Sequence, residues 1–114
     1  MSARSLTVYR KTEELLYRYY PALFNYPKAE KFGLCQDIKR TFFDLLRCIA
    51  LGNAVRAKRK VYLQEADGHL QLLKVLVKLS RQRRYISKGF YQETDVALTE
   101  INKMLSAYIK SASD

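Results

Sequence analysis

Residues 35–52 read CQDIKRTFFDLLRCIALG. Within them Cys35, Ile38, Phe42, Leu45, Ile49 and Gly52 recur in alternating steps of three and four residues. That spacing lays a single apolar seam along a helix, as the helices of a bundle require, and leaves Lys39, Arg40 and Arg47 to decorate its outside. Upstream, Pro27 suits a first-turn position, and Glu30 adds negative charge where the helix dipole favours it. A helix from Pro27 to about Val55 is therefore predicted, roughly 40 Å long at ~1.5 Å per residue. Gly52 marks either a close-packing point or a bend.

Three further helices follow from the same pattern. The first runs roughly from Leu6 to Tyr20, and its exit, ALFNYP, is bracketed by Pro21 and Pro27. The third, from about Lys60 to Ser80, repeats the seam with Leu63, Ala66, Leu70, Leu73 and Val77. The fourth opens at Ser87, a good N-cap, and buries Phe90, Thr94, Ala97, Ile101, Met104 and Tyr108, with Leu98 and Leu105 widening the face. The final SASD is expected to fray. Short connections between long amphipathic helices predict one domain, 1–114, with an all-α fold: an up-down-up-down antiparallel four-helix bundle.

Composition agrees. Hydrophobic residues make up 48% of the chain, too many for a disordered basic tail, and only two prolines and four glycines interrupt it. No uncharged stretch approaches the ~20 residues of a membrane span. Met1 to Thr7 is short and polar, so no secretory leader is read there. Cys35 and Cys48 fall on apolar positions of one helix, about 20 Å apart, too far for a disulfide or a shared metal. The expected compartment is the reducing cytoplasm, with no membrane contact.

Charge carries the functional signal. The chain has 21 Lys+Arg against 11 Asp+Glu, a formal net charge of +10. Folding does not need that excess, because like-charge repulsion works against compactness. Antiparallel packing would place Arg56, Lys58, Arg59 and Lys60 at one end, with Arg4, Arg10, Lys11 and Lys110. The other end would hold Arg81, Arg83, Arg84 and Lys88, near Lys28 and Lys31. Lys74 and Lys78 lie between the ends. Glu14 can pair with Arg18, and Asp44 with Arg40 and Arg47. Stretches 56–60 and 81–84 contain no acid, which is the footprint of a polyanion site. Tyr85, inside the second cluster, is a candidate for stacking on unpaired bases. The Tyr17–Tyr26 aromatic group reads instead as packing.

No catalytic constellation is present. His69 is the single histidine and lies beside an apolar stripe. The chain has no HExxH, no ExxH pair and no glycine-rich phosphate loop. Glu65 and Asp67 point to different helix faces, and neither cysteine has an evident base. No catalytic residue, metal ligand or cofactor is therefore assigned. A second stripe on the third helix, His69, Leu72, Leu76 and Leu79, exceeds what a four-helix core needs. Leu72, Leu76 and Leu79 are accordingly expected at a self-association interface.

The run from Tyr9 to Leu46, YRKTEELLYRYYPALFNYPKAEKFGLCQDIKRTFFDLL, resembles the accessory variability determinant (Avd) proteins of diversity-generating retroelements. So do YLQEADGHLQLLKVLVKLS, Tyr62 to Ser80, and the closing ALTEINKMLSAYIKS. PKAEKFGL, Pro27 to Leu34, is also similar to a related group encoded in intervening sequences of bacterial 23S ribosomal RNA genes. That group continues with a stretch like SIPxNIAEG, from which TFFDLLRCIALGNA, Thr41 to Ala54, departs. The retroelement family is therefore preferred, and an RNA-binding bundle of the ribosomal intervening-sequence type is the alternative.

The resemblance implies a non-enzymatic, positively charged four-helix bundle that assembles as a pentameric, barrel-like ring. It implies a reverse transcriptase and the retroelement's template RNA as partners, with DNA the other nucleic acid in view, and a role in mutagenic complementary-DNA synthesis. Family basic positions on the third helix correspond best to Lys74 and Lys78. Charge clustering supplies the other expected nucleic-acid contacts: Arg56, Lys58, Arg59, Lys60, Arg81, Arg83 and Arg84.

Overall fold

The computed structural model describes residues 1–112. Four helices account for most of them: α1 (Ala3–Tyr19), α2 (Leu34–Ala54), α3 (Arg59–Gln82) and α4 (Lys88–Ser111). Each packs against its neighbours in chain order, and α4 returns to α1, which closes the square cross-section of an up-down-up-down bundle. The α2–α3 pairing is the most extensive. Two contacts fix the shared end of the termini. The Arg4 guanidinium donates to Ala107 O at 3.2 Å, and the Ser2 N–H donates to Asn53 Oδ1 at 3.0 Å.

The predicted seams are the core. Cys35, Ile38, Phe42, Leu45, Ile49 and Gly52 of α2 are all buried, as are Leu63, Ala66, Leu70, Leu73 and Val77 of α3. On α4, Leu98 and Leu105 are more deeply buried than Ala97 and Met104, so the core face is rotated slightly from the expected one. The hydroxyls of Thr12, Thr41, Ser80 and Thr94 are carried into the bundle without orphaned donors. Each donates to the carbonyl four residues earlier, at 2.7–2.8 Å.

The entry to α2 differs from expectation. Pro27 has extended backbone (ψ 146°) and caps a 3₁₀ turn, Lys28–Glu30; a second 3₁₀ segment occupies Tyr20–Asn25. Gly33, at φ −108° and ψ −108°, lies outside helical values, so α2 begins only at Leu34. Glu30 therefore sits before α2, and its Oε1 accepts from the Leu34 N–H at 3.4 Å. The acidic cap survives, one turn upstream of its predicted place.

The other termini are well defined. Ser2 and Ser87 cap α1 and α4 through their hydroxyl oxygens, which accept from Ser5 N and Phe90 N. Helix α4 stays regular through Ser111, so the expected fraying does not reach that residue, and Ser113 and Asp114 lie outside the described residues. At the end of α3, Tyr85 N–H donates to Ser80 O and Arg84 N–H to Arg81 O, both at 2.9 Å. These are the paired bonds of a Schellman motif. The left-handed position it requires is filled by Arg84, at φ 61°.

Candidate nucleic-acid interface

The bundle is 44 Å long, and the two predicted basic clusters occupy its opposite ends because α3 spans the distance between them. The cluster at the α2–α3 junction is built on a 3₁₀ turn, Arg56–Lys58, that exposes both of those side chains. Lys60 is exposed beside them. Arg59 is turned inward: its Nε donates to Gly52 O at 2.8 Å and its Nη2 to Asn53 O at 3.0 Å. It closes the C-terminus of α2, where a cation also meets the negative end of the helix dipole. Its primary role is therefore structural, a role the charge count did not distinguish. Of the other cations assigned to this end, Arg4 is held by Ala107 O and Lys11 pairs with Glu100 at 3.6 Å.

At the far end Arg83 and Arg84 are exposed and, among the described residues, make no ion pair. Arg81 is half-buried and donates to Ile86 O at 3.0 Å, holding the α3–α4 turn. The cluster is acid-free in sequence but not in space, since the Tyr85 hydroxyl donates to Glu30 Oε2 at 3.0 Å. That bond, and the packing of its ring against Tyr26 at 5.2 Å, fix Tyr85 as a strut between the α3–α4 turn and the loop before α2. It is not a free stacking platform.

Between the ends, Lys78 is exposed, whereas Lys74 is half-buried and donates to Asn102 Oδ1 of α4 at 2.8 Å. Asp44 pairs with Arg47, as expected, but Arg40 pairs with Asp37 at 3.9 Å. The exposed cations of the predicted set are Arg56, Lys58, Lys60, Lys78, Arg83 and Arg84.

The apolar stripe on α3 is also redrawn. Leu76 and His69 are half-buried on the flank of the helix, with Leu76 packed on the core. The exposed stripe is Val61, Leu72, Val75 and Leu79, with Val75 58% and Leu72 47% exposed. From Gly68 onward it runs in steps of four, three and four, with Val61 one heptad upstream, a second heptad-like seam on the solvent side of the helix. Reading only the flanking leucines missed Val61 and Val75; the seven-residue spacing of Val61, Gly68 and Val75 was the available signal.

Cys35 and Cys48 are free, buried thiols whose pKa values are raised chiefly by burial, so neither is an activated nucleophile. Tyr19 and Tyr26 share a 2.7 Å hydroxyl contact, and burial raises both phenols. Among the described residues no group of His, Cys, Asp or Glu is placed to hold a metal ion, and no helix is long and apolar enough to cross a membrane.

Fold and surface together define a basic, antiparallel four-helix bundle. The sequence matches the bAvd-like family over residues 6–112, nearly its whole length, and the chain belongs to that family. In fold it is similar to a crystal structure of a protein of unknown function from the S23 ribosomal protein family of Bacteroides thetaiotaomicron. The TM-score is 0.83 at 22% identity, over 95% of this chain and 99% of that one. No protein of curated function matches it.

Proposed function

We propose that this protein is a non-enzymatic accessory factor of a diversity-generating retroelement. Its basic surface binds the element's reverse transcriptase and template RNA and supports mutagenic complementary-DNA synthesis, while the polymerase chemistry belongs to the partner. Membership of the bAvd-like family supports the choice of partner. The observation that carries polyanion binding is Arg84. It stands at the left-handed position of a helix-ending motif, φ 61°, where glycine is the favoured residue. A non-glycine residue there costs about 1 kcal/mol. Its side chain recovers none of that through an ion pair among the described residues. A strained cation kept beside exposed Arg83 is one whose charge is used outside the chain.

The proposed working form is a homopentameric ring. The exposed seam Val61, Leu72, Val75 and Leu79 supports self-association, and Gly68 within it lets a second helix approach closely. A ring presents each cationic end several times, raising avidity without new contacts. The likeness to the S23-family structure, at 22% identity, is one of fold and gives the ribosomal alternative no separate support.

The deciding experiment co-expresses the chain with a reverse transcriptase of a diversity-generating retroelement from the same genome. The two should co-purify, and complementary-DNA synthesis should fall when Arg83→Glu and Arg84→Glu are combined or when Lys78→Glu is introduced. Synthesis that proceeds equally well without the chain would remove the accessory role.

A further inference from the structure

A cavity of about 380 Å³ opens where the two 3₁₀ segments meet the start of α2. That volume falls within the range of ligand sites, about 300–1,000 Å³. Its mouth carries the Phe24 ring, 78% exposed, edge-on to Tyr20 at 6.0 Å. So exposed, the Phe24 ring offers an open face on which a base can stack. Three lysines, Lys28, Lys31 and Lys39, line the cavity and no carboxylate does; the Lys31 Nζ lies over the neighbouring Phe32 ring at 5.5 Å. Lys39 is held over the Tyr20 face at 5.0 Å, and Cys35 forms part of the lining. Glu30, one residue before Lys31, has both oxygens engaged, one by the Tyr85 hydroxyl and one by the Leu34 N–H.

We infer that this cavity is a seat for an unpaired nucleotide of single-stranded RNA. The base stacks on the exposed Phe24 ring, to which Tyr20 is set edge-on, while Lys28 and Lys31 take the flanking phosphates. The combination decides the occupant. A wholly apolar peptide would bring no counter-charge to the lysines that line the cavity. A duplex keeps its bases stacked on one another and has no free ring face to offer Phe24. Tyr26 lines the cavity and packs on Tyr85, which follows Arg83 and Arg84 in sequence. A strand leaving the cavity therefore meets the basic α3–α4 turn. The inference rests on the RNA-binding reading above and adds a site to it.

The chain contains no tryptophan, so Phe24→Trp installs a single fluorescent reporter at the mouth. An adenosine-only RNA oligomer should quench it, and the same strand paired with a uridine-only partner should not. In the otherwise unaltered protein, Phe24→Ala should weaken binding of the single strand about tenfold and leave duplex binding unchanged. Lys28→Ala and Lys31→Ala should each make the salt dependence shallower by about 0.7 in log–log slope. Phe24 is exposed, so circular dichroism should show the same helix content in every variant. If the unaltered protein binds RNA and Phe24→Ala binds the single strand equally well, the cavity assignment falls and the RNA reading stands. If the unaltered protein binds neither form of RNA, both fall. Loss of reverse-transcriptase co-purification in Phe24→Ala at unchanged RNA affinity would also overturn the inference, giving the ring to a protein partner.

Discussion

Gly52 and Leu63 meet at the junction of α2 and α3 so closely that a Cβ on Gly52 would lie 2.7 Å from Leu63 Cδ2 and 3.0 Å from its Cγ. Leu63 is fully buried, so it has no free space to move into. Glycine here permits close packing of two helices; it does not bend one. Gly52→Ala should gain about 1 kcal/mol of helix propensity and lose about 2 kcal/mol to overpacking, a net destabilisation of about 1 kcal/mol. Gly68→Ala, with nothing within 4 Å of the added carbon in the single chain, should instead stabilise the monomer by about 1 kcal/mol when introduced into the Leu72→Glu, Val75→Glu background. Urea midpoints of the two variants should therefore move in opposite directions.

The core was legible in the sequence because burial in a bundle obeys the helical period, and each α2 and α3 seam residue lies where the period puts it. The entry to α2 was less so: Pro27 and Glu30 are good first-turn residues for a helix of either geometry, and Gly33 decides that the α-helix waits until Leu34. The basic surface was legible only as a count. Whether an arginine faces solvent or a helix end depends on carbonyls brought near by the fold, as Gly52 O and Asn53 O are for Arg59. Tyr85 and Glu30, 55 residues apart, join for the same reason.

Arg59 and its neighbours should accordingly separate. Arg59→Ala removes two hydrogen bonds from a charged donor to the last carbonyls of α2, and should cost about 1.5 kcal/mol of stability. Arg56→Ala and Lys58→Ala remove exposed side chains and should stay within about 0.5 kcal/mol of the unaltered protein. Thermal unfolding monitored by circular dichroism distinguishes the two cases. RNA affinity at this end is best tested through Arg56 and Lys58, whose loss leaves the bundle intact.

Alkaline pH should destabilise the fold. Burial raises the phenols of Tyr19 and Tyr26 above their usual value near 10, and the thiols of Cys35 and Cys48 above theirs near 9. As pH climbs past about 9 the unfolded chain releases these protons first, while the folded chain keeps them. Stability is then fully present below about pH 9 and declines above it. Urea midpoints should hold up to about pH 9 and fall steadily above it. The drop should be smaller when Tyr19→Phe and Tyr26→Phe are combined, which removes both titrating hydroxyls without leaving either unpaired.

Leu72→Glu combined with Val75→Glu tests the exposed seam. Both side chains face solvent in the single chain, so the variant should retain its helix content and unfold normally. Placed in a contact between copies, the two carboxylates would be buried without counter-charges, and assembly should fail. Sedimentation should show a large species for the unaltered protein and a monomer for the variant. An unaltered protein that sediments as a monomer at micromolar concentration would remove the ring.

Arg84 makes the last prediction two-sided. Glycine relieves the left-handed backbone at φ 61°, so Arg84→Gly should raise unfolding free energy by about 1 kcal/mol. The same change removes an exposed cation from the α3–α4 turn, so RNA affinity should fall. The log–log salt slope should become shallower by about 0.9 on a duplex, as loss of one phosphate contact predicts. Opposite signs for stability and binding are what a residue retained for its charge requires. A surface arginine without function would show the first effect and not the second. Arg83→Gly, beside it at an ordinary helix-terminal φ of −79°, should bring no comparable gain in stability, which isolates the backbone contribution from the charge.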